Sequence, residues 1–215
     1  MKRVFSWDTI TLQEFNEINS ILAMRLGELD MMLRIMSVID KVEEHVYLEM
    51  PISELVKEMK RLKGVKDEVK PVFSGTGKYT INGKNYILTM PANMTSGQFI
   101  DITNTLQSDN PDIAFLCAIA LIPEGHTYCD SYSVTELSKE FNDHLFVTQA
   151  LGISAFFRVV SLELQRVTLL YSRKQMMKAL KVETDPVATQ KIKESIVRVE
   201  TILKEIDLNR IGGSV

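Results

Sequence analysis

Cysteine is scarce in this chain. Two occur in 215 residues, Cys117 and Cys129. That is too few for a disulfide framework, and the default compartment is a reducing cytoplasm. Charge of one sign is also lacking. The formal net charge is −3, which gives no global electrostatic case for nucleic acid or an anionic membrane. Long hydrophobic runs are missing too. No stretch reaches the roughly 18 to 20 charge-free residues of a bilayer-spanning helix. The nearest, residues 145–164, is interrupted by Gln149, Arg158 and Glu163, so no membrane partner is expected. The opening Met1-Lys2-Arg3-Val4-Phe5-Ser6-Trp7-Asp8 is basic but no apolar segment follows, and it is not expected to be a signal peptide. Catalytic signatures are absent as well. The chain holds no Gly-x-Ser-x-Gly, no His-Glu-x-x-His and no glycine-rich dinucleotide fingerprint.

What is present is an ordinary globular composition, 45% apolar and 25% charged, in a chain long enough to bury a core. Thr11-Leu12-Gln13-Glu14 is a capping box. It opens a helix to about Met24 with Leu12, Phe15, Ile18, Leu22 and Leu26 inward. Gly27 breaks it, and a second helix runs from Glu28 to about Lys41. Pro51 suits the first turn of a third helix. From Gly64 to Gly77 the pattern dissolves into Lys, Asp, Glu, Pro71, Ser74 and glycines, which reads as a linker.

The clearest local instruction follows. Asn82-Gly83 stands between Lys78-Tyr79-Thr80-Ile81 and Lys84-Asn85-Tyr86-Ile87-Leu88. Both turn residues accept positive φ, so a two-residue hairpin is predicted. Pro91 closes its second strand. Thr95 and Gln98 are spaced as a capping box for a helix ending near Ser108. Asn110 as N-cap with Pro111 at the first position predicts another helix, apolar nearly all round to Ile122, in the middle of the core. Ser133 to Glu136 opens a short helix. The longest helix spans roughly residues 146–181, Thr184-Asp185-Pro186 breaks it, and a last helix runs back antiparallel to about Asn209. The expected fold is mostly α with a small β-hairpin. It comprises a helical N-terminal subdomain (1–63), a linker (64–77), a hairpin and helical core (78–145), a C-terminal antiparallel helix pair (146–209) and a frayed tail (210–215).

The sites that could carry chemistry are few. Ser74-Gly75-Thr76-Gly77-Lys78 looks like a phosphate loop, but the glycine such a loop needs five positions before Gly77 is Val72, and Tyr79 stands where Ser or Thr should follow the lysine. It reads as a lead-in to the hairpin. Cys117, His126, Cys129 and His144 are soft ligand types, but only His126 and Cys129 have pair spacing; a polar loop with an incidental thiol is the simpler reading. Asp101, Asp109 and Asp112 flank helix ends, where local hydrogen bonding accounts for them. No catalytic residue, cofactor or metal ligand is assigned.

Two surface features suggest partners. Residues 158–181 carry Arg158, Arg166, Arg173, Lys174, Lys178 and Lys181 against one acid, Glu163. Such a helix could touch nucleic acid or an acidic partner, although a solvated basic face near a helix C-terminus is favoured. Its aromatics Phe156, Phe157 and Tyr171 read as core. In the last helix Ile192, Ile196, Val199, Leu203 and Ile206 step by 4, 3, 4, 3, a short heptad seam that packs either on its neighbour or on another subunit. The candidate partner-binding residues are therefore Arg166, Arg173, Lys174, Lys178, Ile196, Val199 and Leu203. The hairpin edge and the face after Thr95 are further contact surfaces.

Trp7-Asp8-Thr9-Ile10-Thr11-Leu12-Gln13-Glu14-Phe15, Met50-Pro51-Ile52-Ser53-Glu54-Leu55, Tyr79-Thr80-Ile81-Asn82-Gly83-Lys84 and Gly97-Gln98-Phe99-Ile100-Asp101 resemble tail-assembly-chaperone-like and virion structural proteins of tailed bacteriophages. The nearest forms are from phages of gut Bacteroidota, including the crAss-like phages. The resemblance covers roughly residues 5–157, through Phe156-Phe157, and does not extend to residues 158–209. It implies a non-enzymatic viral protein, made in the host cytoplasm and located in the virion; a homo-oligomer is an alternative left open by the heptad seam of the last helix. Its partners would be other phage structural proteins, with no cofactor. The unmatched helix pair suits a component retained in the particle more than a transient assembly chaperone.

Overall fold

The computed structural model describes residues 3–212. The chain divides into two compact units, Met1–Ala155 and Phe156–Val215. The division does not fall at the 64–77 linker, because the segments on either side of that linker share one core.

The first unit begins with a single 3-10 turn, Trp7–Thr9, and α1 (Leu12–Ala23). Thr11 and Glu14 form the reciprocal capping box that their spacing predicts: Thr11 Oγ1 accepts from Glu14 N, and Glu14 Oε2 accepts from Thr11 N at 3.0 Å. Helix α2 (Glu28–Asp40) starts at Gly27 and stops at Lys41, a left-handed residue with φ 53°. A four-residue helix α3 (His45–Leu48), too short to show a period, precedes α4 (Ile52–Met59), which continues as a 3-10 turn through Leu62.

The strands β1 (Lys78–Ile81) and β2 (Lys84–Leu88) form the hairpin, with Asn82 and Gly83 at φ 49° and 74° as the turn requires. Tyr79, Ile81, Tyr86 and Leu88 are buried, and Tyr86 meets Phe141 edge-on at 4.9 Å. After α5 (Ser96–Gln107) comes α6 (Ile113–Ala120), then β3 (Leu121–Pro123), which pairs antiparallel with β2 in the order β1-β2-β3. Here the structure departs from expectation twice. The N-cap of α6 is Asp112, whose carboxylate accepts from Phe115 N at 2.9 Å, so Asn110-Pro111 lies before the helix. The apolar run also changes from helix to strand at Leu121. A continuous apolar run carries no period by which to mark that change.

Helix α7 (Val134–His144) follows its Ser133 cap. The long helix α8 (Val147–Val182) and α9 (Pro186–Gly212) complete the chain. Helix α9 runs three residues past the expected Asn209; residues 213–215 of the expected tail lie outside the described part.

The centre of the first unit is α6 with its neighbours. Leu116, Cys117, Ala118, Ile119, Ala120, Leu121, Phe141, Leu145, Val147, Ala150 and Ile153 are wholly buried. Burial pushes the Cys117 thiol well above its ordinary value, leaving it inert. Residues 72–73 pass directly over the first turns of α8. Val72 N donates to Thr148 O at 2.8 Å, and a Cβ added to Gly152 would overlap the Val72 carbonyl. Gly152 is thus required by close backbone approach, not by φ.

A second fastening joins α2, α3 and the turn after α4. Arg61 donates to Asp40 Oδ2 at 2.6 Å and to the Arg3 carbonyl at 2.6 Å, and Tyr47 donates to Asp40. Arg61 also pairs with Glu58 at 2.8 Å. Burial, then the hydrogen bond to Asp40, pushes the Tyr47 phenol up to about 12.

Candidate functional site

The second unit is an antiparallel helix pair whose register is visible in its ion pairs. Arg166 Nε donates to Asp207 Oδ1 at 3.0 Å, and Arg173 pairs with Glu200 at 2.7 Å. One heptad forward on α8 meets one heptad back on α9. The residues on that line of α8, Leu162, Arg166, Leu169, Arg173, Met176 and Leu180, step by 4, 3, 4, 3, 4 and are all half-buried. Opposite them Ile196, Leu203 and Ile206 are buried, with Ile192 and Val199 half-buried.

This sorts the sequence-derived partner residues. Ile196, Val199 and Leu203 belong to the seam inside the pair and do not form a free surface. Arg166 and Arg173 sit on the same seam with their charges matched, Arg166 also to Glu163 at 3.3 Å. Lys174 and Lys178 are exposed. The basic stretch is therefore not a uniform cationic face: two of its six charges serve the helix pair.

A feature that sequence reading missed lies on the far side of α8. Val160, Leu164, Val167 and Tyr171 step by 4, 3, 4 and form a second apolar ridge, flanked by Val159 and Leu170. Leu164 is 39% exposed, Val167 53% and Tyr171 63%. Tyr171 is thus not core, whereas Phe157 is buried and stacks edge-on against Phe156. The signal was available: two apolar lines on one helix, about 170° apart at 100° per residue. From the sequence only the aromatics of this stretch are read, and Tyr171 among them is expected in the core. The same ridge positions continue as Lys174, Lys178 and Lys181. By length and composition alone, α8 would pass as a membrane span; its best window has mean hydropathy 1.3. Much of that apolarity belongs to its buried first turns in the first unit.

Charge divides with the units. Residues 1–155 hold 14 basic and 21 acidic side chains, and residues 156–215 hold 11 and 7. The near-neutral total conceals an acidic first unit, at −7, and a basic second unit, at +4.

The other sites considered come apart. Cys117 is sealed in the core, while His126 contacts Ser131 Oγ at 2.8 Å and exposed Cys129 sits on a turn at φ 60°. Among the described residues no three His, Cys, Asp or Glu side chains converge as a metal site. Asp101 does not serve as a helix-start acid; its Oδ2 accepts from Tyr128 at 2.6 Å, and burial together with that bond raises the phenol. Gln98 was expected to complete the box at Thr95. Thr95 does accept from Gln98 N, but the Gln98 side chain is buried and donates to Ile119 O at 2.8 Å. Strand β1 lies at a sheet edge, and the hairpin turn is tied to α7 by Lys84 and Asn82 on Glu140, at 2.9 and 3.3 Å. A polar cleft of about 890 Å³ between α1, α6 and α7 is lined by Asn16, Asn19, Asp112, Lys139, Asn142 and Asp143. In comparisons with protein-family models, curated proteins and solved structures, nothing matches this chain.

Proposed function

We propose that this chain is a non-enzymatic protein of a tailed bacteriophage, a virion structural or tail-assembly component that works by binding other phage structural proteins. One observation carries the reading toward protein contacts: the second unit leaves a heptad-spaced apolar ridge in solvent after its internal seam is already satisfied. The phage assignment rests on the resemblance of residues 5–157. Retention in the particle is favoured over a transient chaperone role by the helix pair, which adds a surface beyond the segment that bears the resemblance.

Quantitative mass spectrometry of purified virions tests it, with a fixed copy number per particle expected. Presence in infected cells with absence from particles would leave only the chaperone role. A nucleic-acid role through residues 158–181 is weakened by the pairing of Arg166 and Arg173 with acids. It would reappear as DNA binding that falls steeply with salt.

A further inference from the structure

We infer that the exposed ridge of α8 docks one amphipathic helix of a different protein, running antiparallel to α8, with acidic residues in its first turns and an apolar heptad line after them. This rests on the reading of the second unit as a protein-binding element, and deepens it by stating the partner's chemistry and direction.

The shape of the ridge selects a helix. Val160, Leu164, Val167 and Tyr171 step by 4, 3, 4, and Lys174, Lys178 and Lys181 continue the same line by 3, 4, 3. A seam of that period runs straight along a helix, and a second helix crossing at about 20° meets it turn after turn. From Val160 to Lys181 the line is about 32 Å long at 1.5 Å per residue. Helix α9 does not supply the cover, because the Arg166–Asp207 and Arg173–Glu200 pairs hold it on the opposite side of α8. Val167 and Tyr171 stay more than half exposed beside a completed seam. A helix with two apolar lines belongs between two neighbours, and here it has one.

Charge chooses both the occupant and the direction. Arg166 and Arg173 are matched by Asp207 and Glu200, but among the described residues no acid pairs with Lys174, Lys178 or Lys181. All three lysines are exposed. A second copy brings no acids to them. Running parallel, it sets the lysines abreast of their own copies, a like-charge clash. Running antiparallel, with Val160 on Tyr171, it sets Lys174 and Lys178 against Phe157 and Ile153, which are buried in one copy. A membrane-surface helix keeps its lysines on its polar face, whereas these stand in the apolar line itself. The occupant is therefore a different chain with carboxylates opposite the lysines. An antiparallel helix carries them in its first turns, where its own dipole favours acids; a parallel one would carry them at its C-terminal end, where the dipole opposes them. The partner's line repeats the steps of the ridge in reverse, three acids and then four apolar residues within about 22 residues. The apolar block supplies affinity, and the charged pairs fix direction and exclude wrong partners.

The probe is a synthetic peptide of about 22 residues with that pattern, glutamate at the acidic positions and leucine at the apolar ones, labelled with fluorescein and titrated with the full chain. Fluorescence anisotropy is expected to show saturable binding below about 100 µM. Lys174→Glu with Lys178→Glu is expected to weaken it at least tenfold, and a peptide with lysine in place of glutamate to restore binding to that variant. Val167→Glu with Tyr171→Glu is expected to abolish binding of both peptides. All four positions are exposed, so helical circular dichroism is expected to be unchanged. The same peptide in reversed order, apolar residues first, is expected to bind at least tenfold more weakly. No saturation, indifference to the lysine swaps, equal binding of the reversed peptide, or a ridge that takes phosphatidylglycerol vesicles or a second copy in place of the peptide would each overturn the inference. Any of these with a fixed copy number in virions leaves the proposed function standing. Peptide binding by a chain absent from particles leaves this inference standing and confines the function above to assembly.

Discussion

The two units spend their hydrophobic residues differently. In the first, α6 is enclosed on all sides, and the strands, α7 and the start of α8 close around it. In the second, two helices share one seam; among the described residues of α8 after Phe157, none is fully buried. The first unit therefore holds its own core. The second has the sequence of a core helix in α8 but only one neighbour to bury it against. What the difference teaches is that apolar content alone does not locate a core. The same residue types make an interior in one place and a surface awaiting a partner in the other.

The comparison can be broken by substitution, and the largest effect is expected at Gly152. Any side chain there collides with the Val72 backbone. Gly152→Val should cost roughly 3 kcal/mol or more and open the first unit, as read by urea unfolding and by proteolysis in the 64–77 segment. Phe141→Ala, in the centre of that unit, should cost about 3–5 kcal/mol. Leu203→Ala, on the one-sided seam of the second, should fall near the low end of the usual range, about 2 kcal/mol. Equal losses at Phe141 and Leu203 would contradict the contrast.

Asp40→Asn should destabilise the first unit by about 3 kcal/mol, because it leaves the Arg61 guanidinium without its main partner in a largely buried place. The same cluster has a pH signature. The Tyr47 phenol is pushed from 10.0 up to about 12 in the folded protein. A folded value above the unfolded one means stability that is complete below pH 10 and lost as pH rises through about 12. Unfolding free energies at pH 9 and 11.5 should show the loss, and Tyr47→Phe should remove its share. The smallest effect is expected from the surface ion pairs of the second unit. Arg173→Met should change stability by no more than ~1 kcal/mol, since Glu200 is well exposed.

Much of the fold was legible where local chemistry acts alone. The Thr11–Glu14 box, the left-handed Asn82-Gly83 turn, the Ser133 cap and the Asp185-Pro186 break each instruct the backbone within four residues. The misreadings have a common cause. At 113–123 an unbroken apolar run carries no period, so the switch from α6 to β3 depends on β2, a partner more than thirty residues earlier. Gln98 has capping-box spacing but is drawn away by the Ile119 carbonyl, a long-range acceptor. For the second unit, the heptad line of α9 was evident, yet whether it faced a neighbour or another subunit depended on what lay across it. The Arg166–Asp207 and Arg173–Glu200 pairs place α8 there. The ridge of Val160, Leu164, Val167 and Tyr171 was visible in the spacing, but of its residues only Tyr171 was read, and as core.

Hydrogen exchange followed by mass spectrometry tests this contrast most directly. The enclosed core predicts slow exchange in α6 and α7. The half-covered helix pair predicts exchange in residues 158–182 that is faster by about tenfold or more, because a helix covered on one side opens more readily. Protection in residues 158–182 as strong as in α6 would mean the second unit is complete by itself, and would contradict the account.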